Sequence, residues 1–130
     1  MSELDTPCLL VDLDAVENNF RVAAETYRDT VCKMRQHTKN IKGRLLASMQ
    51  SRAGGTVGGV CTAKVAEAEV MVEGGINDIL IPNQIVDRDK IARLCALARQ
   101  GDMKVCVDDA ENLRDLSEVA RLHGVVLGVL

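Results

Sequence analysis

Aromatic side chains are almost missing from this chain of 130 residues: Phe20 and Tyr27 stand alone, tryptophan is absent, and the aromatic share is 2%. Without a stacking platform, and with a net charge of -3 rather than a basic excess, the chain has neither feature by which proteins commonly hold nucleic acid. Long apolar runs are missing too. No stretch approaches the roughly 18 residues that span a bilayer, and the opening MSELDTP lacks the basic-then-apolar order of a secretory leader. The expectation is a cytoplasmic protein with neither membrane nor nucleic acid among its partners. Cysteine pairs at C-x-x-C spacing are also absent. The five cysteines, at 8, 32, 61, 95 and 106, are odd in number and widely spaced, which argues against a disulfide framework or a zinc site and predicts reduced core residues.

What is present is an alternation. The apolar runs PCLLVDLD, TVCKMRQ, TVGGVCTA, DILIPN, MKVCVDD and VVLGVL alternate with helical stretches such as AVENNFRVAAETYR, KVAEAEVMVEGG, DKIARLCALARQG and AENLRDLSEVARLHG. They recur about every 20 to 26 residues, the length of one strand plus one helix in a parallel α/β fold. Asp14 with Glu17, and Asp108 with Glu111, have capping-box spacing, and Gly74, Gly101 and Gly124 stand where helices should stop. The ARLCALAR spacing is that of an amphipathic core helix. His123 falls at a helix end, where a structural role is expected.

Two architectures use this alternation, the doubly wound sheet and the (β/α)8 barrel. A dinucleotide-binding sheet carries G-x-G-x-x-G after its first strand, whereas this chain has VDLDAVENN there. The glycine cluster GGTVGG lies between a helix and the next strand, so it reads as a turn and not as a phosphate cradle. The expected fold is a parallel (β/α)8 barrel, incomplete, with about five βα units and a sixth strand at VVLGVL. Such barrels need eight strands, typically over about 250 residues. Residues 1–130 are therefore expected to be the N-terminal portion of a barrel, and to associate as a homo-oligomer or through the unfinished barrel edge.

The stretch MRQHTKNIKG concentrates cations at the end of the second expected strand. If Val31 to Lys39 is that strand, period-2 alternation puts Val31, Lys33, Arg35, His37 and Lys39 on one face and Cys32, Met34, Gln36 and Thr38 on the other. Arg35, His37 and Lys39 then point into the barrel near its C-terminal mouth, where the active sites of such barrels are built. Asp12 and Asp14 on the neighbouring strand are candidates for the compensating charge. The alternative is a solvated basic loop. A partly desolvated amine among other cations is nucleophilic enough to form a Schiff base, which serves aldolases acting on a carbonyl directly and enzymes that anchor pyridoxal phosphate. Lys39 is the candidate. Asn83 and Gln84, after the fourth expected strand, are candidates either to line the site or to bond within their loop.

The opening LDTPCLLVDLDAVENN, the second strand RQHTKNIK and the third unit GGVCTAKVAEAEVMVEGGINDILIPNQIV resemble the N-terminal barrel part of the alanine-racemase-like (fold type III) pyridoxal phosphate enzymes. The likeness is closest to the D-threonine aldolase and D-serine dehydratase branch. In that branch the second strand typically ends Arg-Pro-His-x-Lys-Thr-His-Lys, and its first lysine carries the cofactor. Arg35 and His37 keep their places, Lys39 falls on the cofactor lysine, and Lys42 matches the second lysine. Gln36, Asn40 and Ile41 depart from the pattern, and Ile41 cannot perform any hydrogen-bonding role of the histidine it replaces.

The resemblance implies a lyase that acts on D-3-hydroxy amino acids by retro-aldol cleavage or dehydration, with pyridoxal phosphate held by Lys39, His37 and Arg35. It also implies that a divalent metal, zinc or manganese, is bound in longer relatives by ligands outside this chain, so none is assigned here. A racemase, or a non-catalytic fragment that binds pyridoxal phosphate or a partner, are the competing readings. Residues 1–130 alone are expected to be inactive.

Overall fold

A computed structural model describes residues 4–130, so the first three residues of the stretch read above for a leader lie outside the described residues. Among the described residues the elements are α1 (Leu13–Tyr27), β1 (Met34–His37), α2 (Arg44–Ala53), β2 (Thr56–Cys61), α3 (Val65–Glu73), β3 (Asp78–Ile81), α4 (Arg88–Ala98), β4 (Asp102–Val105), α5 (Ala110–His123) and β5 (Gly128–Val129). α1, α4 and α5 start where a carboxylate can accept the free N–H groups of a first turn, while α2 and α3 follow Gly43 and Lys64 with no side-chain cap. Asp12 accepts from the Ala15 amide, Asp87 from that of Lys90, and Asp109 from those of Glu111 and Asn112. Two of these caps differ from the expected boxes: Asp12 and Asp109 do the capping, not Asp14 and Asp108. Gly74 and Gly124 end α3 and α5 as expected.

All strand pairs are parallel and the order is β1-β2-β3-β4-β5. A doubly wound sheet reverses its strand order and carries helices on both faces; this sheet does neither. In register, Val60 lies opposite Ile79 and Ile79 opposite Met103, with Ile81 opposite Val105 one step further along. These side chains are fully buried, and they pack with Ala68 and Met71 of α3, Ile91, Leu94 and Cys95 of α4, and Leu116 of α5. Each such large apolar side chain contributes about 1.5–3 kcal/mol by leaving water. The core is thus the layer between the sheet and its helices. The opposite face, bearing Arg35, His37, Cys61, Asp78, Leu80, Lys104 and Cys106, is half-buried. We call it the open face. In a barrel it is the interior.

Among the described residues there are five strands, not the expected six. PCLLVDLD forms no strand, and Leu9 is 99% exposed. An apolar run becomes a strand only by exchanging hydrogen bonds with a neighbour, and residues 7–12 have none among the described residues. VVLGVL contributes β5, the last strand in the order. The cysteines also differ from expectation. All five are free, but only Cys95 is buried; Cys61 and Cys106 sit on the open face, and Cys8 and Cys32 are exposed. The glycine cluster divides: Gly54 and Gly55, at φ 97° and 69°, make the expected turn, while Gly58 and Gly59 belong to β2.

Candidate functional site

β1 is shorter than expected. It spans Met34 to His37, and residues 31–33 are irregular. Its pairing with β2 slips, since Met34 lies opposite Thr56 but Gln36 opposite Val60. Thr38 extends the pairing by one bond, its N–H donating to the Cys61 carbonyl at 2.9 Å, and its buried hydroxyl donates to the same oxygen at 3.1 Å. The chain then turns, with the Lys42 N–H donating to the Thr38 carbonyl at 2.7 Å. Ile41 packs against the hydrophobic core. The residue that breaks the histidine pattern therefore anchors the turn.

Arg35 and His37 share the open face as expected. Lys39 lies two residues beyond the strand and is exposed, so its orientation is set by the turn rather than by strand alternation, and the described residues do not supply the expected desolvation. Its backbone N–H donates to His37 Nδ1 at 3.2 Å. An accepting Nδ1 places the proton of the neutral ring on Nε2. Among the described residues no hydrogen bond or ion pair engages Lys39 Nζ. Lys42 takes a different direction. It has φ 45°, a left-handed value that strains any residue other than glycine, and it lines a cavity of about 270 Å³ with Val70 and Met71 of α3.

The compensating charge comes from β3, not from Asp12 or Asp14. Arg35 grips Asp78 with both terminal guanidinium nitrogens, at 3.0 Å to each carboxylate oxygen, and Lys104 Nζ donates to Asp78 Oδ1 at 2.8 Å. Lys104 also pairs with Asp102. Asp12 is committed to its helix cap, so it cannot serve β1. Burial would raise the Asp78 carboxyl, but hydrogen bonds from Arg35 and Lys104 outweigh it and hold the group below the usual carboxylate range. Lys104 is its mirror: burial lowers it, while Asp102 and Asp78 together hold the ammonium above its ordinary value. Burial also pushes the Cys61 thiol up, against the opposing pull of Arg35.

Asp78, Lys104 and Gly59 escaped the sequence reading, although each left a trace. Charges at open-face positions of the runs DILIPN and MKVCVDD are costly unless paired, and a glycine inside a strand often marks a close approach. Asn83 and Gln84 bond within the loops: Asn83 donates to the Ala63 carbonyl at 3.1 Å and Gln84 to Asp108 at 3.0 Å. His123 lies in the last turn of α5. The donor set suits a group held covalently through an aldehyde, because an accessible amine, without a partner among the described residues, stands just beyond the C-terminal end of β1. Among the described residues no group of three or more His, Cys, Asp or Glu side chains could hold a metal ion, and no helix is long and apolar enough to cross a membrane.

Residues 11–130 match the family described as alanine racemase, N-terminal domain. The chain is similar to 3-hydroxy-D-aspartate aldolase of Paracoccus denitrificans, with 43% identity over 129 residues, covering 98% of this chain and 33% of the relative. It is also similar to D-threonine aldolase of Arthrobacter sp., with 37% identity over 131 residues, covering 100% of this chain and 34% of the relative. Among solved structures, a crystal structure of D-threonine aldolase from Filomicrobium marinum superposes with a TM-score of 0.95 at 42% identity, again over 100% of this chain and 34% of the other. The chain spans about a third of the length of the relatives it matches.

Proposed function

Because the chain belongs to the alanine racemase N-terminal domain family, we propose that it supplies the lysine-bearing wall of a pyridoxal-phosphate-dependent lyase site that cleaves D-3-hydroxy amino acids. The observation that carries this reading is the Lys39 amine, accessible and unpartnered among the described residues, at the end of β1 and tied through its own backbone N–H to His37. Retro-aldol cleavage is favoured over dehydration by the aldolase names of the two relatives described above.

Pyridoxal phosphate, when bound, supplies an aldehyde that condenses with amines and a ring that accepts the electron pair released at the substrate α-carbon. Lys39 is the residue that would hold it, and His37 borders the same turn. Lys39 Nζ would then be the group to accept a proton and later return it, the general acid–base role proposed for it. His37 sets the turn from which Lys39 projects. Arg35, engaged on both nitrogens by Asp78, acts through the placement of β1. The described residues offer no identified grip on a phosphate or a substrate hydroxyl, and positioning accounts for much of an enzyme's rate advantage. The 130 residues alone are thus expected to bind the cofactor slowly and to turn over little.

Borohydride reduction of the chain with pyridoxal phosphate, followed by peptide mapping, tests the assignment. Lys39→Ala should abolish the major pyridoxyl-lysine, whereas Lys42→Ala should leave it in place. Retention of that label in Lys39→Ala would show that another amine is the anchor. An assay of D-threonine and D-3-hydroxyaspartate for glycine reads cleavage, and accumulation of a 2-oxo acid with ammonia instead would indicate dehydration.

A further inference from the structure

The geometry points to Asp78 as a positioning residue for Lys39, acting through a clasp on Arg35 that passes over the vacant side-chain position of Gly59. This inference rests on the reading of Lys39 given above. β1 is an edge strand of four residues whose register slips between Met34 and Gln36. Backbone pairing with β2 alone leaves its position along the sheet weakly specified. A second fastening comes from β3. The Arg35 fork reaches Asp78 across the intervening strand, two bonds of 3.0 Å each fixing direction as well as distance.

Gly59 makes this reach possible. It continues the row in which Gln36 faces Val60 and Val60 faces Ile79, so it lies between Arg35 and Asp78. A Cβ at Gly59 would stand 2.5 Å from an Arg35 nitrogen and closer still to Asp78 Oδ2. Lys104 holds the same carboxylate from β4 at 2.8 Å, which leaves Asp78 little freedom to swing away. The clasp is four residues upstream of Lys39, and the chain between is stiffened by the Thr38 bonds to Cys61 and by the Lys39 N–H on His37. Displacements of about 1 Å at a reacting group can cost orders of magnitude in rate.

The probe is pyridoxal phosphate itself, trapped on the 130-residue chain with borohydride, and the readout is the labelling of Lys39 relative to Lys90, an exposed lysine of α4. Unmodified protein should prefer Lys39. Asp78→Asn should cut that preference about tenfold while a cooperative thermal transition persists, and Asp78→Glu, which keeps the charge and both acceptor oxygens, should recover at least part of it. Should Asp78→Asn lack a cooperative transition, Arg35→Lys, which keeps the charge but loses the fork, is read in its place with the same expected loss. An unchanged Lys39 preference in the folded variant, or a Glu variant no better than Asn, would overturn the role of Asp78 and leave Lys39 as the anchor. Absence of any preference in the unmodified chain would overturn the reading of Lys39, and this inference with it.

Discussion

At the scale of single residues, the chemistry turns on which groups are paired. Asp78 carries a folded-state pKa below the ordinary carboxylate value, because hydrogen bonds from Arg35 and Lys104 more than offset its burial. A depressed carboxylate stabilises the fold fully above its unfolded pKa, about 3.9 for Asp, and this contribution is lost as pH falls through the lower folded value. Asp78→Asn should therefore flatten the acid limb of the stability curve, read as urea midpoints from about pH 6 down to about pH 2. Equal acid slopes in both proteins would show that the pair is not linked to folding. The sequence made Arg35 and His37 legible because period-2 alternation is a local property of a strand. It misassigned the partner of Arg35 because pairing across the sheet depends on register, which a single strand does not encode. It overestimated the burial of Lys39, since a strand that stops at His37 hands the next residues to a turn.

Elements were more legible than their ends. Five of the six expected strands form, and each lies where an apolar run coincides with a neighbour able to accept its backbone bonds. PCLLVDLD has the composition without the neighbour. Helix starts were displaced by one or two residues because several acidic side chains crowd each boundary and only the backbone decides which one reaches the first amides. At α5 that residue is Asp109, whose Oδ1 accepts from Glu111 and Asn112 at 2.8 and 2.9 Å. Replacing a capping carboxylate by alanine typically costs about 1 kcal/mol. Asp109→Ala should lose about that much, measured by urea denaturation, and Asp108→Ala no more than about 0.5 kcal/mol, since among the described residues its side chain bonds only the exposed Gln84. The reverse order would return the cap to the position expected from the sequence.

For the whole molecule, the two sides of the sheet set its behaviour in solution. Val126 is 88% exposed beside β5, and a groove of about 510 Å³ between α5 and β5 is lined by Leu113, Leu116, Val125 and Leu127. Apolar surface next to an unpaired strand edge favours association. We expect the 130-residue chain to sediment as a concentration-dependent mixture and not as a monomer; a single monomeric boundary at all concentrations would contradict this. The strand order carries a further consequence, for the path by which the molecule forms. Each strand pairs with its predecessor in sequence, so every pairing closes a loop of only about twenty residues and units can be added one at a time. The Arg35–Asp78 clasp is different: it joins residues 43 apart and has no partner until β3 has been laid down. A growing chain thus carries Lys39 well before Arg35 can meet Asp78, and if the clasp positions that amine as proposed, it can do so only after the third strand has docked.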